Sequence, residues 1–268
     1  MDLSVKQTIM RIVYFGASIE LLLAVLGAFV FITALGLWRR PVLWGAVRAV
    51  EGLANSLGRV AAWAGLIMVV QQIMIIFLQS IFRVSEIGLS PFGFVFTKQL
   101  SWWSEEMKLY NAIVVVFCLA YTFVQGGHVR VDLIYAGVSF RARRVIDAIG
   151  GVLFMIPVSI LIWNFAWFFL WRSLIVPRPS SSDTLERLLL KARAVRWSVE
   201  TIGFSPQGFD AYFLFKVLLV AMTAMIFIQG WGVLWRSLAE MLEGPGAEGR
   251  YLDSDMPGAG GDAPEGTQ

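Results

Sequence analysis

Five apolar runs alternate along this chain with shorter stretches that hold most of its charge. They extend approximately from Ile12 to Trp38, Val60 to Phe82, Met107 to Val124, Ile149 to Trp171 and Tyr212 to Trp235. A helix rises 1.5 Å per residue, so about 20 apolar residues cover the roughly 30 Å hydrocarbon core of a bilayer. The pattern predicts an all-α integral membrane protein of about five transmembrane helices, with amphipathic segments lying at the interface between some of them. The first run is longer than the apolar core of a secretion signal. It passes into Trp38, Arg39 and Arg40 without a small-residue cleavage site, so it is expected to be retained. Trp102, Trp103, Trp171, Tyr212 and Trp235 flank the runs, where aromatic rings are expected to anchor at the headgroup level.

Composition agrees with the pattern. The chain is 57% hydrophobic and 15% charged, against about 25% charged in a soluble domain, and its mean hydropathy is +0.70. The pI near 9.2 would suggest nucleic acid if the basic residues formed one solvated patch. Here they stand just beyond apolar runs, so lipid is the expected partner and nucleic acid is not. The single Cys118 lies inside an apolar run, which excludes an intrachain disulfide and a thiolate metal site.

Basic residues also suggest an orientation. Arg39, Arg40, Arg48 and Arg59 face only Glu51 in the loop before the second run, and Arg130, Arg141, Arg143 and Arg144 crowd the loop from Gln125 to Asp147. Both loops are therefore expected inside, with the N-terminus outside and the C-terminus inside. The connection from Arg172 to Asp210 is also basic and would lie outside. Its Leu185, Leu188, Leu189, Ala192, Val195 and Val199 share one helical face, which suits either docking to a partner or resting on lipid headgroups. Residues 41–58 have a similar interfacial character, with a flexible linker as the alternative. From Gly244 onward the chain is rich in Gly, Pro and acids and is expected to be disordered. The expected organisation is thus an N-terminal span with an interfacial segment over 1–59, a membrane domain over 60–243 and a tail over 244–268.

Glu20, Gln71, Gln72, Gln79, Asn111, Asn164, Lys216 and Gln229 lie in or near apolar runs. They are expected mainly to hydrogen-bond between helices, with Lys216 snorkelling outward and Glu20 shallow and hydrated. Pro157 is expected to kink the fourth span. There is no phosphate-binding Gly loop and only one His, so no catalytic residue, bound cofactor or metal site is expected.

The most specific stretch is residues 101–135, SWWSEEMKLYNAIVVVFCLAYTFVQGGHVRVDLIY. Glu105 and His128 stand about 34 Å apart along a helix, so each belongs to its own membrane face and one active site does not contain both. Trp102, Trp103, Glu105, Glu106 and Tyr110, followed by a span and then Gly127, His128, Val129, Arg130, Val131 and Asp132, resemble the small membrane subunit (small permease) of tripartite ATP-independent periplasmic (TRAP) transporters. The likeness extends more weakly through Lys216 and Gln229. It differs from the common four-span form by the added N-terminal span and a longer outer loop.

The resemblance implies a non-transporting partner of a large membrane subunit, placed in the bacterial inner membrane. A periplasmic substrate-binding protein would deliver an organic acid-like solute for sodium-driven uptake. On that basis Glu105 and Glu106 are expected to present charge to a partner or to Lys108, with simple helix-start acids as the alternative. His128 and Asp132 would share a face if the helix continues, or form a local cap and turn; Arg130 would reach lipid phosphate or a neighbouring subunit, and Gly126 and Gly127 would end the span. The rival reading is a stand-alone small channel or membrane-embedded enzyme. A channel needs one polar helix face, and an enzyme needs its reactive groups at one depth.

Overall fold

The computed structural model describes residues 3–89, 96–125, 137–176, 180, 183–184, 187, 194–195, 208–209 and 211–252. Seven helices carry the described chain: α1 Leu3–Gly16, α2 Ile19–Trp38, α3 Arg40–Ser80, α4 Leu100–Val124, α5 Phe140–Gly150, α6 Ile156–Leu174 and α7 Phe213–Glu243. Strands β1 Glu86–Leu89 and β2 Phe96–Gln99 pair antiparallel between α3 and α4. A shorter antiparallel pair, β3 Ile175–Val176 with β4 Ala194–Val195, follows α6. Five helical stretches are long and apolar enough to cross a membrane: Ile19–Trp38, Arg40–Ser80, Leu100–Val124, Phe140–Leu174 and Phe213–Glu243. The fold is that of an all-α integral membrane protein, as its hydrophobic pattern predicts.

The first span differs in its limits. The run expected from Ile12 to Trp38 is broken at Ala17 and Ser18, where the Ser18 hydroxyl donates to the Phe15 carbonyl at 2.8 Å. A Ser side chain that takes up a carbonyl locally competes with helix continuation. What remains, α2, has 20 residues, about the thickness of the hydrocarbon core. Glu20 sits exposed in its first turn, at the positive end of the helix dipole.

The second difference is α3. Its 41 residues absorb the stretch expected as a separate interfacial helix or linker. No Pro or Gly pair interrupts it after Pro41, which occupies a first-turn position where a missing N–H costs nothing. At the helix end Arg83 takes the left-handed conformation with φ 48°, and Val84 N–H bonds back to the Leu78 carbonyl at 3.2 Å.

Between α5 and α6 the backbone makes one π turn, Gly151–Met155, immediately before Pro157. Proline removes the N–H that would close the preceding turn, and the wider turn is how this helix accommodates it. The irregularity expected at Pro157 thus takes the form of a bulge.

The chain divides into two compact units, one built from residues 1–18, 60–116 and 164–221, the other from 19–59, 117–163 and 222–268. In the first, α1 lays Val13 against Leu170, Trp171, Leu174 and Ile175. The Trp167 indole N–H donates to the Val13 carbonyl at 2.9 Å. Gly16 lets that ring approach: a Cβ there would lie 2.0 Å from the indole. Trp167 and Trp171 therefore pack on α1 inside this chain. Lys216 does not snorkel. It is 7% exposed, with its ammonium 4.5 Å from the Phe169 ring centre, a cation–π contact.

In the second unit, α3 buries Leu43, Trp44, Val47 and Val50 against Ile156, Trp231 and Trp235, and further along buries Ala54 against Ala120, Val124 and Met225. Trp235 stacks on Phe29 at 5.4 Å and donates to the Thr33 hydroxyl at 2.8 Å. Trp102, Trp171 and Trp235 are all buried, so these three rings pack inside the units. The Gln125 amide donates to buried Asn55 at 3.1 Å. Gly58 admits Tyr121, whose Cβ would stand 2.5 Å from an added methyl. The stretch expected to begin a disordered tail is structured at its start. Gly244, at φ 87°, ends α7, Pro245–Ala247 forms one 3-10 turn, and Ala247 is buried. Residues 253–268 lie outside the described residues.

Candidate functional site

In the first unit the family-like residues Trp102, Trp103, Glu105, Glu106 and Tyr110 occupy the first three turns of α4. The helix is launched directly from β2, and Leu100 N–H bonds to the Ser85 carbonyl at 3.0 Å, which ties its start to the hairpin. Helical spacing then sends the two carboxylates to different neighbours. Glu105 accepts the backbone N–H of Phe209 at 2.8 Å. Glu106 accepts from the Gln71 amide at 3.3 Å and from the Tyr110 hydroxyl one turn along at 3.2 Å. Gln71 also donates to the Trp103 carbonyl at 3.0 Å, so its amide joins α3 to α4 as expected of interhelical glue.

Aromatic rings complete this cluster. Buried Trp102 meets Trp103 edge-on at 5.2 Å and Phe209 at the same distance, and Phe209 in turn contacts Tyr212 and Phe215. The Lys98 ammonium lies 5.4 Å from the Trp102 ring centre. Burial, and after it the negative charge of Glu105, pushes the Tyr212 hydroxyl above the ordinary tyrosine value. Of the two expected recipients of this charge, a partner or Lys108, Lys108 is paired with neither carboxylate among the described residues. Both Glu side chains accept hydrogen bonds from neutral donors of this chain. That arrangement holds elements together.

The other half of the motif, Gly126, Gly127, His128, Arg130 and Asp132, lies outside the described residues, and so does most of the amphipathic connection after α6.

A second cluster, in the second unit, was not anticipated. Arg236 of α7 donates two hydrogen bonds to Glu51 of α3, which is 6% exposed, and a third to Glu240 at 3.1 Å. Glu240 is 1% exposed. It also meets Arg144 of α5 at 2.7 Å and accepts Gly249 N–H at 3.2 Å. Arg144 reaches Asp147 at 3.3 Å and Glu248 at 2.7 Å, and Arg250 reaches Glu243 at 3.0 Å. Buried charges persist only when paired in this way. The available signal was Glu51 on an otherwise apolar face, and the i,i+4 pair Arg236 and Glu240 just past the apolar end of the last run. No group of three or more His, Cys, Asp or Glu among the described residues has the arrangement of a metal site.

With this geometry in place, comparison with known families is informative. Residues 92–199 match the family model for tripartite ATP-independent periplasmic transporters, DctQ component. Comparison with curated proteins and with solved structures gave no match. The matched segment includes the whole motif, from Trp102 to Asp132. The matched segment is less than half of the chain, and the family it matches is a transporter component.

Proposed function

We propose that this chain scaffolds the large membrane subunit of a TRAP transporter and helps to dock a periplasmic substrate-binding protein, for sodium-driven uptake of an organic acid-like solute. It sits in the bacterial inner membrane with its N-terminus outside and its C-terminus inside, and it carries no step of transport alone. The observation that carries the reading is the family match over residues 92–199, together with the use made of its paired carboxylates. Glu105 and Glu106 hold the start of α4 to Phe209 and to Gln71, so they shape a surface in preference to binding an ion. Apolar side chains on α3, among them Trp63 at 66% exposed, Ile73 at 60% and Val60 at 68%, supply area that lipid and a larger subunit can share.

The test is solute uptake in proteoliposomes holding this chain, its large partner and a loaded binding protein, with each component omitted in turn. Uptake is expected only with all three present and a sodium gradient. Gradient-driven uptake by this chain alone would overturn the reading.

A further inference from the structure

The sequence places four arginines and one glutamate between Arg39 and Arg59. Folding separates them by sign. Glu51 turns inward to Arg236 and is 6% exposed, whereas Arg39, Arg40, Arg48 and Arg59 are all exposed. Arg48 and Arg59 lie within about 20° of each other around the helix axis. At the corner between α2 and α3, Leu37 is 51% exposed and Trp38 83%. The acids on neighbouring elements are already engaged: Glu240 by Arg236 and Arg144, and Glu243 by the Trp44 indole N–H at 2.8 Å and by Arg250.

We infer that the α2–α3 corner and the exposed side of α3 as far as Arg59 form a seat for anionic phospholipid headgroups. A guanidinium fork matches two phosphate oxygens, and an indole beside it suits the boundary between headgroup and acyl chain. Arg48 is held ready by its position over the Tyr251 ring, 5.4 Å from the centre. Helix stability does not explain Arg40, which stands at the positive end of the α3 dipole with no acid in that first turn.

The full-length chain in mild detergent is titrated with phosphatidylglycerol or phosphatidylcholine, and retained lipid is counted by native mass spectrometry. Phosphatidylglycerol is expected to be retained in preference. The triple variant Arg39→Gln, Arg40→Gln, Arg48→Gln should lose that preference by about five-fold per arginine. The corresponding triple lysine variant, which keeps the charge without the fork, should retain only part of it, and Arg141→Gln, on α5, should leave it unchanged. Wild-type preference should also collapse as NaCl rises from about 0.1 M to about 1 M, where the screening length falls from roughly 10 Å to 3 Å. This arm needs no variant to fold. Equal retention of the two lipids, a preference indifferent to salt, or a folded triple glutamine variant with wild-type preference would each overturn the inference.

Discussion

The Glu105 carboxylate accepts the backbone N–H of Phe209 at 2.8 Å, and through it the first turn of α4 holds a residue more than a hundred positions later in the chain. Buried Phe209 packs on Trp102, so the hydrogen bond and the ring contact act on the same joint. A hydrogen bond to a charged group is worth about 1.5–3 kcal/mol.

Glu105→Gln keeps an acceptor oxygen in reach of Phe209 N–H, whereas Glu105→Ala removes it. Thermal unfolding in detergent should therefore show the alanine variant less stable by about 1–3 kcal/mol and the glutamine variant closer to wild type. In the reconstituted transporter, Glu105→Gln with Glu106→Gln should leave the sodium-to-solute ratio unchanged. A changed ratio would place an ion ligand in this chain and count against the scaffold role.

The Tyr212 hydroxyl offers a pH readout of the same joint. Its folded pKa is raised by burial and then by Glu105. The stability this contributes is present below the ordinary tyrosine value of about 10 and is lost as pH rises toward the higher folded value. Ultraviolet titration should find a late tyrosine step to which Tyr212 contributes. Glu105→Gln should move that step to lower pH, and no movement would separate Tyr212 from the Glu105 charge.

Arg236→Met should be among the most damaging single changes, at about 3–5 kcal/mol, because it strands Glu51 as a buried, uncompensated charge. Adding Glu51→Leu should recover much of the loss. Chemical denaturation of the wild type, both single variants and the double variant measures the coupling, and strict additivity would contradict the pairing.

Gly16→Ala puts a methyl group where the Trp167 indole now lies. The expected result is loss of the Trp167 to Val13 hydrogen bond and about 1–3 kcal/mol of stability, with the N-terminal helix becoming open to protease. Gly27→Ala, with nothing within 4 Å of the added carbon, is the matched control and should be neutral or better.

Ser104 and Ser139 are both exposed and stand near opposite ends of the proposed topology. Single cysteines at these positions, in a Cys118→Ala background, should be labelled from outside and inside respectively by an impermeant thiol reagent. Labelling of both from one side would overturn the proposed orientation.

Hydrophobic runs alone determined that this chain lives in a bilayer and carries five stretches able to cross it. Burying about 20 apolar residues in hydrocarbon is a local property, set by composition and helix length. The two motifs within residues 102–132 resembled those of the TRAP small subunit before any contact was known. The partners of those side chains were not legible. Phe209 and Gln71 meet Glu105 and Glu106 only through packing between elements far apart in sequence, and no local periodicity encodes it. The same holds for Trp167 and Trp171, whose spacing suits a lipid face, a partner or α1 equally well. Tertiary structure chose α1 because Gly16 leaves room for the indole. It also decided the fate of Glu51. In the sequence Glu51 is one acid diluting four arginines in a loop. In the fold it is buried on Arg236, since a charge drawn into an apolar interior must find its opposite, and the arginines remain outside as a surface of one sign.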